Sequence, residues 1–238
     1  MPDTSIPPLD FDAFDVLSFD CYGTIVDWET GLWHAISPVL AAHHLTLTQE
    51  QTLEQYAQLE ARAEAGAYRP YRIVLKAVLE GFGVRFGFTP TAEQLDRFSA
   101  SVGAWPPFSD SADALRTLQT RYKLAIVSNV DDDLFAGTAE QLGVPFDWVI
   151  TAQQSKVYKP SLEAFRKAIA RIGVPTDRLL HVAQSLFHDI APAKSLGLST
   201  VWINRRSGRR GVGATPPAEA MPDLELPDLY SLAQSLVR

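Results

Sequence analysis

The sequence predicts an α/β protein built around a parallel sheet, and two observations lead to this prediction. Short apolar runs alternate with amphipathic helical stretches along most of the chain. Such alternation is typical of right-handed βαβ crossovers, which place successive strands side by side in a parallel sheet. A long stretch of purely helical pattern interrupts this alternation after the first strand. The predicted fold is therefore a Rossmann-like, doubly wound core with an inserted helical cap domain.

The predicted strands are short apolar runs that end in polar or turn-forming residues. They cover residues 16–19, 124–127, 148–150, 179–182 and 200–203. The predicted helices between them carry apolar residues at helical spacing, and three of them stop at a glycine, which readily adopts the left-handed conformation of a helix end. They cover residues 110–122, 134–142, 161–172 and 189–196.

The helical insertion divides the chain into two predicted domains. The core takes residues 11–29 and 108–238, and the helical cap takes residues 30–107. Apolar residues recur at helical spacing in the cap, and two consecutive prolines close it. Residues 84–86 are predicted to form a short extended piece.

Composition limits the partners and the location of the chain. The formal net charge of −7 over 238 residues argues against a nucleic-acid surface, since phosphate binding needs clustered positive charge. The one dense basic run, residues 205–210, contains Gly and Ser and is predicted to be a solvated loop. A single cysteine fits a reducing compartment. Neither a secretory leader nor an apolar run of the about 20 residues of a membrane helix is visible, so a cytoplasmic protein is expected.

Reactive residue types follow the predicted strands. Asp20 ends the first strand and precedes a glycine turn, whose backbone N–H groups favour an ionised carboxylate. Ser128 and Asn129 follow the second strand, Lys159 the third and Asp189 the fourth. Because the carboxyl ends of parallel strands meet at one edge of a sheet, we expect these side chains to form one site. A carboxylate beside a lysine and a second acid suits nucleophilic attack by Asp20.

Four motifs in this order and spacing resemble those of haloacid dehalogenase superfamily hydrolases, and specifically type II 2-haloacid dehalogenases. They are FDCYGT at 19–24, IVSN at 126–129, Lys-Pro at 159–160, and SLFHD at 185–189 with VWINR at 201–205. The resemblance covers the predicted core, and the helical insertion lies where that family keeps a helical cap. It implies a small halogenated carboxylate as the partner of the site.

The resemblance implies a hydrolytic dehalogenase that converts short 2-haloacids to 2-hydroxy acids without a cofactor. In the implied mechanism, Asp20 displaces halide and forms an aspartyl ester. Water then hydrolyses the ester with Asp189 as the base, while Lys159 keeps Asp20 ionised. Tyr22 stands where a phosphatase of this superfamily carries a second acid to protonate its leaving group. Halide leaves as a stable anion, so the absence of that acid favours dehalogenation.

Two alternatives remain open from the sequence. One is a Mg²⁺-dependent phosphatase of the same superfamily that forms an aspartyl-phosphate on Asp20. Against it, Gln184 stands where the phosphatase branch has an acid, which depletes the oxygen ligands that Mg²⁺ requires. No residue is therefore predicted to be a metal ligand, although Asp20 and Asp189 could still bind Mg²⁺ weakly. The other alternative is a non-catalytic binding protein that keeps the fold.

The resemblance also assigns roles to residues around the nucleophile. Thr24 and Ser128 join the catalytic set and are expected to bind the substrate carboxylate, with backbone N–H groups. Asn129 is expected to donate a hydrogen bond to the departing halide. Cys21 and Tyr22 directly follow the nucleophile in the sequence and are predicted to contact the substrate.

The cap is expected to supply one further charge. Type II dehalogenases commonly carry an arginine on the first cap helix that binds halide and carboxylate, and no arginine stands at the corresponding place in this chain. Arg69 and Arg72, each beside a tyrosine, are the predicted replacements. A homodimer built from the cap helices is implied by the resemblance alone.

Overall fold

A six-stranded parallel sheet forms the centre of the computed structural model, which describes residues 9–206 and 218–236. Its strands are β1 (Val16–Phe19), β2 (Lys123–Ser128), β3 (Trp148–Thr151), β4 (Leu179–Ala183), β5 (Ser199–Ile203) and β6 (Leu224–Leu226). Their order is β3-β2-β1-β4-β5-β6. The predicted doubly wound α/β fold is confirmed. All five predicted strands are present, and β6 is an addition that the sequence did not reveal.

β1 lies in the middle of the sheet and is buried on both faces. Leu17 and Phe19 are fully buried, as expected for a central strand covered by helices on each side. Phe19 is level with Ile126 of β2 and with Val182 of β4. This register aligns the carboxyl ends of the three strands, so Asp20 emerges where the residues that follow β2 and β4 also emerge.

Of the five α-helices that stand between β1 and β2, the first four are called the cap helices below. They are α1 (Trp28–Ala42), α2 (Gln49–Glu64), α3 (Tyr71–Phe86) and α4 (Ala92–Ala100). The threonines before α2 and α4 each form a reciprocal capping box with a glutamine. The predicted extended piece at 84–86 is wrong, because α3 continues to Gly87, where a φ of 76° ends it. The division into a cap at 30–107 and a core around it stays a prediction.

A residue from outside the cap helices completes the first turn of α3. Pro70 precedes α3 and offers no side-chain cap. Instead, the carboxylate of Asp131, which follows β2, accepts hydrogen bonds from the backbone N–H groups of Tyr71 at 2.9 Å and Arg72 at 3.0 Å. Asp131 is buried. This carboxylate therefore ties the cap helices to the sheet.

The remaining helices accompany the sheet strands. They are α5 (Ser111–Gln119), α6 (Asp132–Leu142), α7 (Ala152–Ser155), α8 (Leu162–Ile172), α9 (Ala191–Ser195) and α10 (Leu229–Leu236). Where the sequence predicts one helix over 189–196, a π-helical turn, Leu186–Ile190, precedes the short α9. Within the described ranges, no helix combines the length and apolar character needed to cross a membrane.

The basic run at 205–210 is only partly described. The Arg205 side chain is 8% exposed and forms an ion pair with Asp110 at 2.8 Å. It also donates two hydrogen bonds to the carbonyl oxygen of Thr24. The prediction of a solvated loop is therefore wrong for Arg205, which supports the turn that follows β1. Residues 207–210 lie outside the described residues.

Candidate active site

A small cavity of about 60 Å³ lies at the carboxyl edge of the sheet, beneath the cap helices. Asp20 enters it from the end of β1, and Gly23 turns the chain with a φ of 99°. Only glycine adopts this conformation readily. A Cβ at Gly23 would also approach Trp28 Nε1 to 3.0 Å and Gln184 Oε1 to 3.1 Å. The turn after the nucleophile therefore requires glycine for both its conformation and its close neighbours.

Lys159 links the two buried aspartates of the site. Its Nζ donates to Asp20 Oδ1 at 2.9 Å, to Asp189 Oδ1 at 2.6 Å and to the carbonyl oxygen of Val127 at 2.8 Å. The residue is 2% exposed. Burial alone would lower the pKa of Lys159, but Asp189 and Asp20 raise it to about 12. The structure thus brings together three residues that the sequence assigned to one site, and the lysine is charged at neutral pH.

Thr24 holds the second oxygen of the Asp20 carboxylate. Its hydroxyl donates to Asp20 Oδ2 at 2.7 Å and accepts from the backbone N–H of Gln184 at 2.9 Å. Thr24 is fully buried and does not line the cavity, so the prediction that it binds the substrate carboxylate is wrong. Burial raises the pKa of Asp20, while Lys159 and the Thr24 hydroxyl act in the opposite direction. Thr24 therefore positions the nucleophile and favours its ionised form.

Asp189 is oriented by a histidine that the sequence did not single out as functional. His181 Nε2 lies 3.0 Å from Asp189 Oδ1, and His181 Nδ1 lies 2.9 Å from Ser18 Oγ. Ser185 caps the turn that returns Asp189 to the sheet edge, since its hydroxyl accepts from the N–H of His188 at 2.8 Å. Burial opposes ionisation of Asp189, but Lys159 and His181 outweigh it and lower the pKa.

Ser128 and Asn129 line the cavity from the end of β2, as predicted. Ser128 Oγ is buried and has no hydrogen-bond partner among the described residues. An unpaired buried hydroxyl is unfavourable and favours a polar ligand beside it. The Asn129 side chain accepts from the backbone N–H of Lys159 at 2.8 Å and donates to its carbonyl oxygen at 3.0 Å. Asn129 therefore fixes the backbone of Lys159 and keeps one amide N–H for a ligand.

The two residues after the nucleophile point to different surroundings. Tyr22 lines the cavity, with its hydroxyl 3.0 Å from Thr138 Oγ1 and its ring edge-on to Trp105. Burial raises the pKa of Tyr22 well above its usual value, so the phenol stays protonated. Cys21 lies fully buried within the hydrophobic core. The prediction that Cys21 contacts the substrate is wrong for its side chain, because adjacent side chains alternate in direction after a strand.

The two arginines predicted to serve the site are directed elsewhere. Arg69 donates to the carbonyl oxygen of Ala63, and Arg72 forms an ion pair with Asp133 at 2.6 Å. Neither side chain lines the cavity. Each guanidinium has its own partners outside the cavity, since the backbone carbonyl of Ala63 holds Arg69 and the Asp133 carboxylate with the Ser99 carbonyl holds Arg72. These two predictions are therefore wrong.

The cap helices instead present two carboxyl groups to the cavity. Glu60 and Glu64 of α2 line it, together with Tyr71 of α3. Glu60 Oε1 accepts hydrogen bonds from Tyr56 at 2.8 Å and from Tyr71 at 2.6 Å. Sequence reasoning missed Glu60 as a site residue. The available signal was an acidic residue four positions after Tyr56, on the apolar face of an amphipathic helix.

The sheet order, the inserted cap helices and the lysine-bridged aspartates agree with the family of the chain. The profile of the haloacid dehalogenase-like hydrolases matches residues 14–197, and the chain belongs to this family. Among its relatives, the (S)-2-haloacid dehalogenase of Pseudomonas sp. (strain YL) is 30% identical over 223 residues, which cover 91% of this chain and 94% of the relative. That of Pseudomonas fluorescens is 25% identical over 193 residues, which cover 80% and 84%.

Solved structures show the same fold. The crystal structure of a defluorinating L-2-haloacid dehalogenase superposes with a TM-score of 0.81 at 22% identity, over 94% of this chain and 96% of that chain. At this level of identity, the similarity shows the fold alone. The reaction has to be inferred from the residues of the site.

Proposed function

We propose that this chain is a 2-haloacid dehalogenase that hydrolyses the carbon–halogen bond of short 2-haloalkanoic acids. The observation that carries the proposal is the environment of Asp20, whose carboxylate lies 2.9 Å from Lys159 Nζ in a small cavity, with Tyr22 two positions downstream. A nucleophile that has no second carboxylic acid two positions downstream to protonate the leaving group suits a leaving group that departs as a stable anion. The dehalogenase relatives support the same reaction.

In the first proposed step, a carboxylate oxygen of Asp20 attacks the α-carbon of the substrate. The carbon–halogen bond breaks, its electron pair leaves with the halide, and the α-carbon is inverted as an aspartyl ester forms. Lys159 and Thr24 hold the carboxylate in place for this attack. The unpaired Ser128 hydroxyl is available for the substrate carboxylate, and the remaining Asn129 N–H is available for the halide.

In the second step, a base removes a proton from water, which attacks the carbonyl carbon of the ester. The bond from that carbon to the substrate oxygen breaks, and the proton held by the base passes to that oxygen to give the 2-hydroxy acid. Asp20 regains its carboxylate with one oxygen from water, and the second proton of that water is released to solvent. Asp189 is the proposed base for the attacking water. Its Oδ1 is occupied by Lys159 and His181, whereas no described residue donates to its Oδ2. Lys159 neutralises the charge that develops on the ester carbonyl.

The residues of the site support a reaction without a metal cofactor. Gln184 lines the cavity where a phosphatase of this family would need an acid, and Asp189 Oδ1 already binds Lys159 and His181. Mg²⁺ prefers several oxygen ligands in octahedral geometry. In the described part of the chain, no group of three or more His, Cys, Asp or Glu side chains is arranged to hold a metal ion.

Halide release tests the proposed function against the phosphatase reaction. Chloroacetate and each enantiomer of 2-chloropropionate are offered as substrates, beside p-nitrophenyl phosphate, with added Mg²⁺ or with EDTA. We expect chloride release that EDTA leaves unchanged, and inversion at the α-carbon. Phosphate release that requires Mg²⁺, without chloride release, would replace this proposal with a phosphatase. No turnover of either class by the folded protein would favour a binding protein.

The identity of the nucleophile has its own test. We expect Asp20→Asn to abolish chloride release while the protein stays folded, and Asp113→Asn, an exposed acid of α5 outside the cavity, to keep it. In ¹⁸O-water with enzyme in excess, the label should enter the Asp20 carboxylate during the first turnover. Label found in the product alone would contradict the aspartyl ester.

We propose further that the protein works in the cytoplasm on a small halogenated carboxylate. The free, fully buried Cys21 is compatible with a reducing compartment. A homodimer remains a prediction from the family resemblance, and sedimentation equilibrium tests it directly.

A further inference from the structure

The cavity holds more carboxyl groups than its positive charge can balance. Asp20 and Asp189 line it from the sheet, and Glu60 and Glu64 line it from α2. Among the described residues that line it, Lys159 is the one lysine or arginine, and both aspartates already bind it. A 2-haloacid would bring a further carboxylate into this space. Electrostatic repulsion would oppose its binding unless one of the cap carboxyls is uncharged.

The contacts of Glu60 are compatible with an uncharged carboxylic acid that donates a hydrogen bond from its second oxygen. Its Oε1 accepts from the hydroxyls of Tyr56 and Tyr71, which occupy both lone pairs of that oxygen. No donor among the described residues contacts Oε2. A proton bound to Glu60 therefore resides on Oε2, and Glu60 itself lines the cavity.

The surroundings of Glu60 favour this protonated form. Burial raises the pKa of Glu60, although Tyr71 and Tyr56 partly oppose the shift. Glu64, one turn later on α2, has a pKa raised well above its usual value, and burial is the largest cause. The titratable groups that face this pair across the cavity are Asp20 and Tyr22 after β1, Lys159 after β3, and His188 and Asp189 after β4. Burial keeps the Tyr22 phenol uncharged by raising its pKa well above the usual value. Burial lowers the pKa of His188 to about 4, so it adds no positive charge at neutral pH.

Resting on the dehalogenase function proposed above, we propose that Glu60 is a substrate-binding residue. As an uncharged acid held by Tyr56 and Tyr71, it donates a hydrogen bond from Oε2 to the carboxylate of the 2-haloacid. Glu60 thereby takes the part for which Arg69 and Arg72 were predicted, without adding a fixed positive charge. Substrate binding then weakens as pH rises, because ionised Glu60 repels the carboxylate that its protonated form binds.

Steady-state kinetics on chloroacetate between pH 5.5 and 9 tests the proposal with three variants. Glu60→Gln keeps an uncharged donor at the same place, Glu60→Leu removes it, and Glu54→Gln changes an exposed acid of the same helix. We expect the wild-type KM to rise with pH, by up to about tenfold per unit once Glu60 ionises. Glu60→Gln should have a KM that is independent of pH, Glu60→Leu a KM about tenfold higher or more throughout, and Glu54→Gln the wild-type profile. A parallel Glu64→Gln variant measures how much Glu64 contributes to the pH dependence of KM.

Binding of propionate, measured by calorimetry over the same pH range, separates this proposal from the dehalogenase function. Propionate carries the carboxylate but no halogen, so its affinity reports on Glu60 even if no chloride is released. Propionate affinity that falls with pH in the wild type, but not in Glu60→Gln, supports the proposal. An identical pH dependence of KM or affinity in both proteins would overturn it, while chloride release would still support the proposed function. If the role of Glu60 were merely structural, its replacement would lower thermal stability without changing the pH dependence of KM or of propionate affinity.

Discussion

Replacing Lys159 with methionine removes the cation that neutralises two buried carboxylates while keeping a side chain of similar length. The variant loses the contacts of Nζ to Asp20 at 2.9 Å, to Asp189 at 2.6 Å and to the Val127 carbonyl oxygen at 2.8 Å. The Asp189 side chain is 1% exposed and that of Asp20 is 10% exposed, so water from the cavity would compensate only in part for the lost ammonium. Removing one partner of a buried ion pair destabilises a protein by about 3–5 kcal/mol. We expect a loss of this size at pH 8.

The loss should shrink as pH falls. Without Lys159, burial and mutual repulsion raise the pKa of both carboxyls above the values they have in the unfolded chain. The folded variant then binds more protons than the unfolded one in the acid range, so its stability rises relative to wild type as pH decreases. Urea denaturation followed by circular dichroism at pH 8 and pH 5.5 measures both differences.

Lys167→Met provides the matched control. Lys167 is about half exposed, and its ion pair with Glu163 spans 3.5 Å on the surface of α8. A pair of this kind contributes about 0–1 kcal/mol. If Lys159→Met were destabilised no more than this control, or equally at both pH values, the assigned role of the buried lysine would be refuted.

Three further predictions address packing, nucleophile ionisation and acid stability. Gly31→Ala should lower the free energy of unfolding by about 1–3 kcal/mol in urea titrations, because its Cβ would overlap the indole of Trp105. Thr24→Val should move the acid limb of kcat/KM to higher pH, since the Thr24 hydroxyl lowers the pKa of Asp20; an unchanged limb would contradict that role. The unfolded chain protonates His188 near pH 6.5 and the folded chain only near 4, so the free energy of unfolding decreases as pH is lowered through this window. His188→Gln should flatten that decline in thermal denaturation.

The central strands could be predicted because burial on both faces leaves a direct signal in the sequence. β1 and β4 are buried throughout, and a mostly apolar run bounded by turns is typical of such strands. β6 was missed because it has three residues, with a glutamate at the centre, and none of the three is fully buried. The π-helical turn before α9 was missed because it depends on Ser185 capping the His188 N–H, which helical spacing does not reveal.

The site residues that directly follow strands could be predicted from the sequence, whereas the site residues on the cap helices could not. Asp20, Ser128 and Asp189 reach the cavity because the parallel register brings the strand ends to one edge. A cap side chain reaches the same cavity only through the tilt of its helix, which no local pattern encodes. The arginines at the start of α3 were therefore chosen wrongly, and Glu60, on the buried face of α2, was passed over.

The carboxylate of Asp131 has a thermodynamic consequence for the whole chain. The amide groups that open α3 find their partner in the sheet half of the molecule, and the partner in turn is buried by α3. Separating the two halves would leave a desolvated anion on one side and a frayed helix end on the other. We therefore expect the two halves to melt in a single cooperative transition, and Asp131→Ala to split or broaden that transition in calorimetry.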